Sequence, residues 1–234
     1  MATATAGYTL LDDFLPEMLQ YCNGAPSIML RIHLINAAID LCNKALLLKK
    51  VPSPFQLEED VHTYTLKYSQ NRYRVLAVDN AKLDGSNVPL VRTTEKEMDS
   101  SIINWRSTES SKPTRYWLTD DLNTIRVWPT PKEDIDSDFT VDTVVTYKRG
   151  QIEVDEFIFE KWHEVIQAGA LAKVLIIPEA SWFNPATATV FARSFSRGVR
   201  EARKTTLTGT GNFPGRVLPQ NFIVVGSEGI RSRS

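Results

Sequence analysis

Histidine and cysteine are scarce in this chain, three and two among 234 residues. That scarcity leaves little material for a metal centre or a disulfide framework, because both need clustered or paired ligands. Cys22 and Cys42 lie in apolar helical settings without metal-like spacing, so they read as buried, reduced thiols. No apolar run reaches the roughly 18–20 residues needed to cross a bilayer. The opening Met1-Ala2-Thr3-Ala4-Thr5-Ala6-Gly7 lacks the basic start and apolar stretch of a secretory signal. The expectation is a protein made in the cytoplasm with no membrane role. A global charge is missing too: the formal net charge is -1, so no broad positive field marks a nucleic-acid binder. What is present is ordinary globular composition, 42% hydrophobic and 24% charged, enough for one good core or two small ones.

The near-neutral sum hides an asymmetry. From Arg193 onward there are eight Lys/Arg against two acids, a net of +6, which leaves -7 for residues 1–192. A basic end on an acidic body often marks a partner-binding segment. The chain reads as helix, then strands, then helix. Residues 10–14 form a short turn, and Pro16 occupies the first turn of a small helix ending near Cys22. Asn23-Gly24-Ala25 breaks it, and Pro26 opens a longer helix to about Lys49. That helix carries two apolar stripes, one through Ile28, Ile32, Ile35, Ile39, Cys42 and Leu46, the other through Leu30, Leu34, Ala37, Leu41, Ala45 and Leu48. It is expected to be packed on most sides, by its own bundle or by a neighbouring subunit.

After Val51-Pro52-Ser53-Pro54 the period changes to two. Tyr64, Leu66 and Tyr68 alternate with polar residues, and a strand over Tyr73–Leu83 leads into the hairpin signal Asp84-Gly85-Ser86-Asn87. Thr94 and Glu97 form a capping box for a short helix bearing Met98, Ile102 and Trp105. Strands return at Arg115–Leu118 and Thr124–Trp128, and a last one puts Phe139, Val141, Thr143, Val145 and Tyr147 on one face. Asp155 is expected to cap a third helix running to Ile177, with the stripe Ile158, Trp162, Val165, Gly169, Ala172, Ile176. Asn184-Pro185 starts a fourth, with Ala188, Phe191, Phe195, Val199 and Ala202 inward.

The fold class that follows is α+β: a four-helix bundle built from both chain ends (1–52 and 151–204), an inserted small antiparallel β-sandwich or barrel (53–150), and an extended C-terminal arm (205–234). The arm is punctuated by Gly and Pro yet carries Phe213, Arg216, Val217, Leu218 and the run Phe222-Ile223-Val224-Val225. That apolar content suits a segment that orders against a partner, by adding a strand to a sheet edge for instance, or one that folds back on its own body.

Enzymatic leads are weak. His163-Glu164-Val165-Ile166-Gln167 has the shape of a zinc-protease helix, but Gln167 stands where the second histidine is needed. The acids Asp12-Asp13, Glu58-Glu59-Asp60 and Asp120-Asp121 read as solvated turns. Gly209 to Gly215 follows a helix instead of a strand and has the wrong spacing for a phosphate loop. No catalytic residue, metal or cofactor is expected. Arg193, Arg197, Arg200 and Lys204, with Arg203 alongside, recur at helical spacing on one face. This face is solvated, or docks on an acidic protein ring, or faces DNA; no interleaved aromatics support the last.

Leu11-Asp12-Asp13-Phe14-Leu15-Pro16-Glu17 followed by Asn36-Ala37-Ala38-Ile39-Asp40-Leu41-Cys42 resembles the opening of tailed-phage head-to-tail adaptor (connector) proteins. So do Tyr116-Trp117-Leu118-Thr119-Asp120-Asp121 leading into Ile125-Arg126-Val127-Trp128-Pro129, the segment Phe159-Glu160-Lys161-Trp162-His163-Glu164, and Trp182-Phe183-Asn184-Pro185 before the Arg-rich helix. The likeness spans about residues 10–205. It implies a virion protein of the head–tail junction, made in the host cytoplasm. It further implies a ring of twelve copies under the portal protein, with arms reaching onto the portal. The ring would meet a nozzle, stopper or tail-tube protein below, and DNA would pass through without sequence-specific contact. The competing expectation is a virion protein whose β module binds a surface or a glycan, with Trp105, Trp117 and Trp128 as a stacking platform.

Overall fold

The computed structural model describes residues 7–208 apart from 69, 87, 111 and 120–122. The class is α+β, with most strand pairing antiparallel. Five helices are present among the described residues: α1 (Leu15–Met18), α2 (Ser27–Ala45), α3 (Glu95–Ser101), α4 (Glu156–Val174) and α5 (Pro185–Thr208). The early strands are β1 (Tyr8–Leu10), β2 (Leu48–Lys50), β3 (Phe55–Leu57), β4 (Thr63–Thr65), β5 (Tyr73–Leu83) and β6 (Val91–Arg92). They are followed by β7 (Glu109–Ser110), β8 (Arg115–Leu118), β9 (Thr124–Trp128), β10 (Thr130–Pro131), β11 (Ile135–Tyr147) and β12 (Glu153–Asp155).

Of the four helices expected to form a bundle, three are long and pack on one another: α2, α4 and α5. The first expected helix is the single turn α1, preceded by a 3₁₀ turn over Leu11–Phe14. α4 is the central element, with an unbroken buried run from Ile166 to Leu171. It ends at Val174, so Ile176 of its expected stripe lies beyond the helix and is exposed. α4 and α5 run antiparallel at very close approach. A β-carbon built on Gly198 would lie 2.4 Å from Val165 Cγ2, and one on Gly169 would lie 2.7 Å from Phe195 Cδ2 and 3.0 Å from Ala37 on α2. The glycines therefore set the spacing of all three helices.

β11 is the spine of the larger sheet. β5 pairs along one edge, from Phe139↔Leu83 to Tyr147↔Tyr73, while β2 and β3 share the other. The predicted inward set Phe139, Val141, Thr143, Val145 and Tyr147 is buried throughout. The hairpin expected after β5 is not formed with the next strand. The chain does turn, with Ser86 N–H donating to Leu83 O at 3.0 Å, but β6 goes on to pair in parallel with β8 in a second sheet, ordered β4-β9-β8-β6. The returning chain makes one rung with β5, Leu90 N–H donating to Ala81 O at 2.8 Å, before it diverges to β8. Among the described residues no sheet closes into a barrel. The main core runs without interruption from Leu11 through both larger sheets to Ala202.

Asp155 corrects another expectation. Its side chain makes no capping hydrogen bond to α4. Instead it is buried and accepts hydrogen bonds from Tyr147 Oη at 2.7 Å and Tyr73 Oη at 3.1 Å, with Lys50 Nζ at 2.5 Å. Tyr147 Oη also accepts the Asp155 backbone N–H at 2.9 Å. Tyr8 lies opposite Asp155 in the β1–β12 pair and reaches Tyr73 Oη at 2.9 Å. Buried Glu153 pairs with Arg72, whose guanidinium covers the Tyr8 ring at 4.5 Å. The entry to the β region (Lys50) and its exit (Asp155) thus meet in one ion pair.

Two measurements test this packing. Gly198→Ala gains up to about 1 kcal/mol of helix propensity but overpacks against Val165, at a cost of about 1–3 kcal/mol. A net loss is expected in denaturant unfolding, with Val165→Ala in the same chain recovering part of it. Burial first raises the hydroxyl pKa values of Tyr73 and Tyr147 above the ordinary phenol value of 10.0, reinforced by the Tyr8 hydrogen bond at Tyr73 and by neighbouring charge at both. Their contribution to stability is complete below pH about 10. It is lost as pH rises further, because only the unfolded chain then ionises readily. Phenolate absorbance followed with pH should therefore show these tyrosines titrating together with unfolding.

Candidate functional site

The residues singled out for binding lie on α5 and beyond it. Asn184 starts α5 as predicted, with its Oδ1 accepting the Thr187 N–H at 3.1 Å and Pro185 in the first helical position. The inner face is set by Ala188, Gly198 and Ala202, all buried, with Phe191, Phe195 and Val199 packed against the core. Burial of that face turns the opposite one outward. Arg193, Arg197, Arg200, Arg203 and Lys204 are all exposed, and none of the five forms an ion pair among the described residues. Arg200 Nε donates only to the Ser196 carbonyl, at 3.3 Å.

The only acid in α5 is Glu201, so little of this charge is neutralised within the helix. None of the five cations lies in the last turn, so the helix macrodipole does little to offset their repulsion. Their mutual repulsion is screened by solvent, and an anionic surface would relieve it further. The arm residues Phe213, Arg216, Val217, Leu218, Phe222, Ile223, Val224 and Val225 lie outside the described residues, as do Asp120 and Asp121 and the Gly209–Gly215 segment.

The enzymatic leads serve packing. His163 stacks on Phe159 at 4.8 Å and meets Phe14 edge-on at 4.8 Å, with Nε2 3.6 Å from Glu17. Gln167 is buried and its Nε2 donates to Phe14 O at 3.2 Å, tying the N-terminal segment to α4. Asp12 is engaged by Arg31 through two hydrogen bonds, at 2.5 and 2.8 Å. Among the described residues no group of three or more His, Cys, Asp or Glu is arranged to hold a metal ion. Both cysteines are buried, and burial pushes the Cys42 thiol up to about 12. No helix among the described residues is long and apolar enough to cross a membrane.

The tryptophans of the β region form a small second core. Trp105 and Trp117 are buried with Met98, their rings edge-to-face at 5.6 Å, and half-buried Trp128 packs beside them. Trp105 Nε1 donates to Asp99 at 2.9 Å and Trp128 Nε1 to Trp105 O at 2.8 Å. A stacking platform needs exposed ring faces, and here Trp105 and Trp117 are buried edge to face, with the Arg106 guanidinium over the Trp105 ring at 4.3 Å.

One charged surface escaped the reading of the sequence. Glu58, Glu59 and Asp60 are brought beside Glu133, Asp134 and Asp136, because Glu59 N–H donates to Asp134 Oδ1 at 2.7 Å and Asp60 N–H to Pro131 O at 3.0 Å. All six side chains are exposed. The run Glu133-Asp134-Ile135-Asp136 at the start of a strand was the available signal, but its partner lies 75 residues away.

Compared with known proteins, the chain matches the family described as SU10 adaptor protein over residues 4–217. No curated protein matches it.

If the tryptophan cluster is core, Trp117→Ala should cost about 3–5 kcal/mol in denaturant unfolding. A loss below about 1 kcal/mol would identify it as surface.

Proposed function

The chain belongs to the SU10 adaptor protein family, a structural component of the phage neck, and from that premise we propose that it forms a ring joining the portal to the next tail protein. The observation that carries this reading is the extent of the match, which takes in the helical layer, the β region and the start of the segment after α5. The partners on this reading are the portal protein, further copies of this chain in a ring of twelve, and a nozzle, stopper or tail-tube protein below. DNA passes through the ring during genome retention and ejection, held by no base contacts.

The portal contact is assigned to the arm, residues 205–234, through its apolar run Phe222-Ile223-Val224-Val225 with Phe213, Arg216, Val217 and Leu218. One such arm binds weakly. A ring of arms engages a ring of sites, and linkage raises overall avidity by about 10²–10⁴ over a single contact. The acidic body suits a channel that DNA must slide through, since like charge discourages adhesion. No side chain is assigned chemistry on a substrate.

The test is the mass of the complex formed with the cognate portal ring by the full chain and by a chain truncated after Thr208, where α5 ends. The full chain should give a discrete large complex, and truncation should weaken it at least about a hundredfold. Equal binding by both would move the contact to the helical layer. Failure of the full chain to bind any portal ring would overturn the reading.

A further inference from the structure

Two surfaces of opposite charge on this chain have no ion-pair partner among the described residues. The first is the outer face of α5, where cations recur over residues 193–204, about 16 Å of helix, and four of the five are arginines. The second is the ledge where β3 meets the start of β11, carrying Glu58, Glu59, Asp60, Glu133, Asp134 and Asp136. None of these carboxylates forms an ion pair among the described residues.

The ledge has more than charge. Three of its acids, Glu58, Asp134 and Asp136, line an open groove of about 680 Å³ together with Lys67 and half-buried Phe55 and Tyr64, whose rings stack 5.1 Å apart at 26°. Exposed carboxylates suit guanidinium groups, which bind them through paired N–H donors. Lysine lacks that paired geometry, and the helix presents mainly arginine.

We propose that the basic face of α5 in one copy docks on the acidic ledge of a neighbouring copy. The inference rests on the ring assigned above and names the contact that closes it. A second copy is the occupant because every copy carries both halves of the pair and, among the described residues, satisfies neither internally. The two halves lie on different elements, and in the ring assigned above they meet head-to-tail, the kind of contact that closes a ring when its rotation allows. Exposed charges of this kind steer association and fix register, and they weaken as salt rises.

A charge swap tests it in the full chain. One variant carries Arg193→Glu, Arg197→Glu, Arg200→Glu and Lys204→Glu; the other carries Glu58→Arg, Glu59→Arg, Glu133→Arg and Asp136→Arg, so that each surface reverses its sign. Self-association is followed by sedimentation, both free and on the cognate portal ring. Each variant alone should associate at least tenfold more weakly than the unaltered chain. Their equimolar mixture should recover, because each then offers the other a complementary face at both contacts. Recovery also requires both variants to be folded. The proposal is overturned if either variant alone associates like the unaltered chain, if the mixture stays monomeric, or if the unaltered chain never self-associates in either setting. If the mixture stays monomeric while each variant still binds the portal ring, the subunit contact falls and the adaptor reading stands. Loss of portal binding by the unaltered chain would instead overturn the adaptor reading itself.

Discussion

A buried carboxylate joins the helical layer to the sheet. Asp155 sits at the start of α4, beneath β1, and takes hydrogen bonds from Tyr73 on β5 and Tyr147 on β11 while Lys50 reaches it from the end of β2. Taking a carboxylate out of water costs several kcal/mol unless its acceptor sites are filled. Here two phenols and an ammonium fill them. Every element that supplies one is thereby held at a set distance from α4. The arrangement fixes where the β region enters and leaves the helical layer.

The second constraint is steric. Gly169 and Gly198 leave room for Phe195 and Val165, so α4 and α5 sit closer than any pair with side chains at those positions. Close packing on the inside decides what faces outward. Once Ala188, Gly198 and Ala202 are committed to the seam, the helical period places the arginines on the far side. The charge of the outer face is thus a consequence of how tightly the inner face fits.

Much of this was legible in the residues. The alternation from Phe139 to Tyr147 located the inward face of β11, and Asn184-Pro185 located the start of α5, because both signals are local and both are used locally. The capping role expected of Asp155 failed for the opposite reason. Its partners Lys50 and Tyr73 are 105 and 82 residues away, and tertiary contacts overrode a local preference. Asp84-Gly85-Ser86 marked a real turn but not the partner of the strand before it. The apolar stripe from Ile28 to Leu46 divides: Ile35, Ile39 and Cys42 are core, whereas Ile28, Ile32 and Leu46 are exposed. Of the candidate surfaces, the basic face needed only helical spacing and could be read directly. The acidic ledge could not, since it exists only when β3 finds β11.

The pairing of β1 with β12, Tyr8 opposite Asp155, has a consequence for how the molecule is made. A strand formed by residues 8–10 waits on the ribosome until its mate at 153–155 has emerged, and α2 waits for α4 in the same way. The β region between them has closer partners and can organise sooner, since short loops close at lower entropic cost. The helical layer is then the last part to become whole, and α5 with its cations is the last long helix to join it. Translation order therefore leaves the exposed basic face of α5 unformed until nearly all of the helical layer has emerged.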